Sequence, residues 1–205
     1  MTNAPVSQGY VRAKDLTAGD VEPNFKVTSL KAPVFSKPHI KSAIKTLLPF
    51  GARLIEESSH PQFIRIGRGQ YVHRNHIASV SDFEPDFVSV AERHMGLPYI
   101  WGGVSSDGLD CSGLVQTALW AIGQGCPRNS GEQRDRLGRS IPIAIDGSLQ
   151  RGDLIFWPGH VGIMCDAERM IHANGFHMRT ETEPLKAAAH RIEKSDGPII
   201  AIKRL

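Results

Sequence analysis

A chain of 205 residues, 40% hydrophobic and 22% charged, is long enough to bury a core and has room for one medium domain beside a small one. A net charge of +3, without any lysine or arginine block, excludes a built groove for nucleic acid. No apolar run reaches the roughly 18 residues that a membrane span needs.

The first ten residues, Met1 to Tyr10, lack a basic start followed by an apolar stretch. No secretory signal is therefore expected, and the expected location is cytoplasmic. The three cysteines, Cys111, Cys126 and Cys165, are an odd number and make no disulfide framework. That fits a reducing compartment, where thiols stay free for chemistry.

Residues 1 to about 80 carry short β-like runs broken by Pro, Gly and Ser. Phe25–Thr28, Ala52–Glu56 and Phe63–Ile66 each alternate or cluster apolar residues over strand length. Many short strands separated by turn residues predict a small barrel. The phrase Gly9-Tyr10-Val11-Arg12-Ala13-Lys14-Asp15-Leu16 echoes Gly69 to Ile77: an aromatic–valine pair, a basic residue shortly after, then an aliphatic one. Both resemble the closing strand and short helical turn of bacterial SH3-like domains, with coincidence over eight residues as the competing reading. On the first reading, residues 24–80 hold a complete SH3-like barrel and residues 1–20 are the remnant of a truncated one. A truncated barrel leaves strand edges exposed, which suits a homodimer through residues 1–80.

The linker Ser79–Pro85 leads into a helical pattern. Pro85 suits a first turn. Phe87, Val90, Ala91 and Met95 fall on one helix face, and Gly96 ends it. A second helix is predicted to start at Cys111, with Leu114, Val115, Ala118, Leu119 and Ile122 in the 3.6-residue period and Gly123 or Gly125 as the stop. After a loop through residues 126–152, strands are expected over Asp153–Trp157, His160–Cys165, Arg169–Asn174 and Ile199–Lys203. Helices followed by an antiparallel meander define an α+β domain over residues 84–205.

Chemistry concentrates in two places. In Leu109-Asp110-Cys111-Ser112-Gly113, the cysteine stands at a helix start, where unpaired amides and the helix dipole favour a thiolate and suit an oxyanion. Asp110 reads as the N-cap. A lone cysteine before a helix is otherwise a buried small hydrophobe. The second place decides between these readings. His160, Gly162 and Met164 share one strand face, and Met170, His172 and Asn174 share one face of the next strand. A turn centred on residues 166–168 sets His172 opposite or diagonal to His160, within about 5–8 Å. Base plus orienting residue beside a nucleophile is triad logic. Two histidines and a cysteine also suit zinc, but a fourth ligand and the paired spacings of zinc sites are missing, so no metal is expected.

With these residues in place, Tyr99-Ile100-Trp101-Gly102-Gly103, Asp110-Cys111-Ser112-Gly113, Gly152-Asp153-Leu154, Gly159-His160-Val161-Gly162-Ile163 and Ile171-His172-Ala173 together resemble the NlpC/p60 cysteine peptidases over about residues 86–204. The resemblance implies a papain-like catalytic domain, with no cofactor, acting on murein peptides at the γ-D-glutamyl–diaminoacyl bond. It makes Cys111 the nucleophile, His160 the base and His172 the orienting residue, with Tyr99 and the Cys111 backbone at the oxyanion. It places Asp110, Ser112, Arg128, Asn129 and Ser130 on the substrate side. Members with SH3-like domains in front resemble dipeptidyl-peptidases of murein recycling, whose substrate loop commonly reads Pro-Arg-Asp-Ser. Here Asn129 replaces that aspartate, so recognition of a free amine is weakened or shifts to Asp110. A wall-peptide binding module and an acyltransferase on the same scaffold are the alternatives.

The remaining candidates read as structural. Cys165 is expected in the core, and Cys126 in a loop. Trp101 and Trp157 are expected to pack. His73, His76 and His94 are expected at the surface or as caps, His177 away from the cleft, and Arg134-Asp135-Arg136 on a solvated helix face.

Overall fold

A computed structural model describes residues 22–205. The readings that fall on residues 1–20 therefore lie outside the described part. The chain divides into two compact units, one ending at Phe83 and the other running from Glu84 to Leu205.

Among its described residues, the first unit is all-β apart from one 3-10 turn. Its strands are β1 (Phe25–Val27), β2 (Lys31–Phe35), β3 (Ile44–Pro49), β4 (Arg53–Leu54), β5 (Ser58–Ser59), β6 (Phe63–Gly67), β7 (Gln70–His73) and β8 (Ile77–Ser79), with the 3-10 turn over Arg74–His76. They form a five-stranded sheet in the order β3-β2-β7-β6-β5 and a three-stranded sheet in the order β4-β1-β8. Residues of both sheets meet in one core of Val27, Ala32, Val34, Leu54, Ile64 and Val72. The chain passes between the sheets through the 3-10 turn. There the His73 imidazole accepts from the Asn75 amide, and Ser29 Oγ lies 2.8 Å from His76 Nδ1. Both histidines therefore fix this turn.

The second unit opens with α1 (Phe87–Arg93). Asp86 caps it by accepting from the amides of Val88 and Ser89, and Arg151 ties Asp86 to Glu92. A short hairpin, β9 (Val104–Ser105) and β10 (Gly108–Leu109), delivers the chain to α2 (Cys111–Ala121). Then come α3 (Ser130–Arg136), β11 (Arg139–Ile141), β12 (Leu154–Trp157), β13 (His160–Met164), β14 (Arg169–Asn174), β15 (Arg179–Pro184), α4 (Leu185–Asp196) and β16 (Ala201–Arg204).

Six of these strands make one antiparallel sheet in the order β11-β16-β12-β13-β14-β15. α2 packs on β13 and β14, and is buried at every position except Trp120. A core of Leu149, Ile155, Trp157, Met164, Met170, Leu185, Ala188, Ile192 and Ile202 joins the sheet to α4. The architecture is α+β. Among the described residues, no helix is long and apolar enough to cross a membrane.

A polar anchor holds this sheet in place. Asp153, 1% exposed, receives both Arg204 Nε at 2.8 Å and Arg204 Nη2 at 2.7 Å, and also the Gln150 amide. A buried carboxylate is tolerable only with such partners. β15 and α4 extend the domain where the sequence reading had no elements. Their residues prove central to the site.

Candidate active site

Cys111 is the first residue of α2. Asp110 caps the helix, its Oδ1 accepting from the Gly113 amide at 2.7 Å. Gly113 is dictated by close packing: a Cβ there would collide with the Gly103 carbonyl oxygen. The pairing of Gly102-Gly103 with Asp-Cys-Ser-Gly thus brings one backbone against the helix start.

The Cys111 thiol is buried and lies 3.9 Å from the Gly159 carbonyl, one residue before His160. Burial raises its pKa to about 11 and the Asp110 charge adds to this, while amides of Val161, Ser112 and Cys111 pull the other way. The helix-start amides do favour the thiolate, as the sequence suggests, but burial outweighs them. His160 is displaced in the opposite direction. Burial, then the neighbouring His172, then Arg191 lower it to about 3, against a smaller upward pull from Glu183. Desolvation penalises whichever form is charged. Burial thus disfavours the charged form of each partner, thiolate and imidazolium alike.

The register of β13 on β14, Ile163↔Ile171 and Met164↔Met170, turns about residue 167. Continued outward, it sets Gly162 beside His172 and His160 diagonal to it. His160 Nε2 lies 2.8 Å from His172 Nδ1, with ring centroids 5.0 Å apart. The space beside Gly162 is filled by Met170 Cε, 2.5 Å from where a Cβ would stand, rather than left open between the imidazoles.

The sequence reading ends at His172; the structure continues. His172, 0% exposed, has its Nε2 2.6 Å from Glu183 Oε1. Glu183, on β15, accepts a bidentate pair from Arg191 on α4, at 2.6 Å and 2.5 Å. Burial alone would raise the Glu183 pKa, but the hydrogen bonds from Arg191 and His172 win and hold it at about 2. Phe176 lies against the Arg191 guanidinium, 4.3 Å from ring centroid to Cζ. The negative charge that the Cys–His–His set lacked is present after all. A usable signal existed: Leu185, Ala188 and Ile192 carry a helical period, which brings Arg191 near Glu183 one element back.

His177 is a second departure from the sequence reading. It is expected away from the cleft, yet its Nδ1 stands 3.9 Å from Glu183 Oε1 and 3.1 Å from Asn174 Oδ1. His172, His177 and Glu183 have ligand atoms within 4.8 Å of one another. A cation is a poor fit there, because the Arg191 guanidinium already covers both Glu183 oxygens.

Among the residues expected to bind substrate, Arg128 reaches back to Asp110 with Nη1–Oδ1 at 2.9 Å and Nη2–Oδ2 at 2.6 Å, and to Ser112 Oγ at 2.9 Å. Asp110 Oδ2 also accepts from the Gly102 amide. Two amides, two guanidinium hydrogens and the Ser112 hydroxyl fill an acceptor with about four lone-pair sites. Asp110 has no capacity left for an ammonium. Asn129 is exposed, stands at the N-cap of α3 and makes no side-chain cap bond; Ser130 follows as the first residue of α3.

Tyr99 is half-buried beside β10 through a bridge to Leu109. Burial, and then the charges of Cys111 and Asp110, raise its pKa, so its hydroxyl stays protonated as a donor. Gln133, fully buried, donates to the Ser112 and Pro127 carbonyls and fixes the Arg128 loop against α2.

His94 is the C-cap of α1, one of the two roles expected of it, and is buried with its Nδ1 2.8 Å from the Val90 carbonyl. Two other residues differ from expectation. Trp101 is 86% exposed, carried outward on a turn whose Gly102 has φ +78°. Cys165 is only partly buried, at the end of β13, whereas Cys126 is buried. Trp157 packs as expected.

This arrangement has counterparts among known proteins. Residues 96–191, a little under half of the chain, match the model of the NlpC/P60 family. It is 28% identical over 145 residues to the γ-D-glutamyl-L-lysine dipeptidyl-peptidase of Bacillus subtilis, covering 65% of this chain and 47% of that one. It is 36% identical over 115 residues to the peptidoglycan endopeptidase RipB of Mycobacterium tuberculosis, covering 48% and 46%. An NlpC/P60 family protein from Bacillus cereus superposes on 89% of this chain and 63% of its own with a TM-score of 0.71 at 27% identity. The chain thus spans about half the length of these two curated relatives.

Proposed function

We propose that the Glu84–Leu205 unit is a cysteine peptidase that cleaves murein peptides at the γ-D-glutamyl–diaminoacyl bond. The observation that carries this reading is the hydrogen-bonded series His160–His172–Glu183 set on neighbouring strands, with the Cys111 thiol against the backbone on either side of His160. Such a series has no structural need for a cysteine at its end, whereas nucleophilic catalysis needs both. The names of the relatives supply the substrate class.

In this mechanism the thiol gives its proton to His160 as sulfur attacks the carbonyl carbon. The Cys111 amide and the Tyr99 hydroxyl hold the developing oxyanion. His160 then protonates the leaving amine, and a water activated by the same imidazole hydrolyses the thioester. Cys111→Ala is expected to lower turnover of an L-Ala-γ-D-Glu-diaminoacyl tripeptide by at least about 10⁴-fold with the far-ultraviolet spectrum unchanged. Retained turnover refutes the assignment.

We further infer that a free N-terminal amine is not required. The support is chemical: Asp110 is saturated, and Asn129 offers an amide where a carboxylate would pair with an ammonium. Free and N-acetylated tripeptides should differ by less than about tenfold in kcat/KM, on the order of 1.4 kcal/mol. A preference beyond about 100-fold for the free amine contradicts this.

A further inference from the structure

The relay beyond His172 carries a directional constraint that reaches the nucleophile. Glu183 is a carboxylate with both oxygens accepting from Arg191, and one of them also faces His172 Nε2. A carboxylate only accepts, so Nε2 of His172 must carry hydrogen. Neutral His172 then has a bare Nδ1, which can only accept. Across the 2.8 Å contact, His160 Nε2 must donate. His160 is left with its lone pair on Nδ1, the one ring nitrogen His172 does not use. We propose that Glu183 is a positioning residue that fixes, through two successive imidazoles, the His160 tautomer whose lone pair is available to Cys111.

The alternative tautomers show why this matters. A neutral group at 183 that donated to Nε2 would move the His172 hydrogen to Nδ1. Two N–H groups would then face each other across His160–His172, unless His160 shifted its own hydrogen to Nδ1. That form has no base to offer the thiol.

With Glu183 ionised, the step balances. The S–H bond breaks and its proton bonds to the His160 Nδ1 lone pair. The sulfur electron pair forms the S–C bond, and the carbonyl π pair moves to oxygen. The imidazolium now holds hydrogen on both nitrogens and still donates from Nε2 to His172, so no rearrangement accompanies the transfer. The charged and titratable groups around this chain are Cys111 from α2, His172 from β14, His177 from the β14–β15 turn, Glu183 from β15 and Arg191 from α4. Arg191 holds the carboxylate in place by hydrogen bonds to both oxygens and acts on the imidazoles through its charge.

This relay rests on the peptidase reading for its chemistry, and the test separates the two. The wild type, Glu183→Gln, Glu183→Leu and the double change Glu183→Leu/Arg191→Leu are compared in kcat and KM on the tripeptide, and in the His160 tautomer by long-range ¹H–¹⁵N imidazole correlation. The double change replaces the ion pair by apolar atoms, so a folded background exists even where the single Leu variant leaves Arg191 unpaired. The relay predicts an Nε2–H His160 in the wild type and in Glu183→Gln, whose amide oxygen still accepts. It predicts loss of that single tautomer in both Leu variants, with kcat down about 10²-fold and KM within about twofold. A single Nε2–H tautomer and unchanged kcat in the folded Leu variants overturn it. A wild type that cleaves nothing defeats the peptidase reading instead, and the tautomer readout then still decides the relay.

Discussion

At the scale of single residues, the site is governed by competition between burial and partners. Glu183 titrates at about 2 in the folded protein against an ordinary 4.5. The folded state binds fewer protons there, so its contribution to stability is complete above 4.5 and is lost as pH falls towards 2. His160 acts in the same sense from a higher starting point. It is neutral when folded, down to about 3, but would charge below 6.5 in the unfolded chain. Its share is complete above 6.5 and lost from there downward. Urea midpoints should therefore hold level from pH 6.5 up to the ordinary thiol range near 9 and decline below 6.5, and His160→Gln should make the upper part of that acid decline shallower. An unchanged slope in the variant contradicts this assignment. The same displacement places the acidic limb of kcat/KM below 6.5 rather than at it.

At the scale of elements, the start of α2 is where fold and chemistry share parts. Asp110 caps the helix, pairs with Arg128 and holds the Gly102 amide, so one carboxylate locks the helix, the Arg128 loop and the preceding turn. Asp110→Ala removes a cap and strands a largely covered guanidinium. It should cost about 2–4 kcal/mol in urea unfolding, and Asp110→Asn less than half of that, since the amide oxygen still caps. Equal losses for the two variants would show that charge, not capping, dominates.

The elements also explain what was legible. Cys111, His160 and His172 were readable because each stands where periodicity changes: a helix start, and two strands separated by a turn. Glu183 was not, and Arg191 was signalled only indirectly, by the helical period of Leu185, Ala188 and Ile192. β15 reads Arg-Thr-Glu-Thr-Glu-Pro, an edge strand with little apolar content, so its hydrophobic signal is weak although Thr180 and Glu183 are buried. The loop reading of residues 126–152 missed α3, whose single buried residue is the polar Gln133. The misplacement of Trp101 has the same root. It lies in a short segment, where exposure is set by tertiary contact rather than by pattern.

At the scale of the whole molecule, the chain combines a β unit with its own small core and an α+β unit that contains every residue of the proposed relay. The SH3-like character expected of residues 24–80 is a proposal supported by the strand–turn–strand order of Gln70 to Ser79 and by the extent of the Bacillus cereus superposition. The central claim is that Cys111 attacks the γ-glutamyl carbonyl. It is tested most directly by acid-quenching the full chain during turnover of the tripeptide and locating the acyl group by peptide mass spectrometry. The account predicts an L-alanyl-γ-D-glutamyl thioester on the peptide carrying Cys111, absent from Cys111→Ala. An acyl group on Cys126 or Cys165, or cleavage that persists in Cys111→Ala, would contradict it.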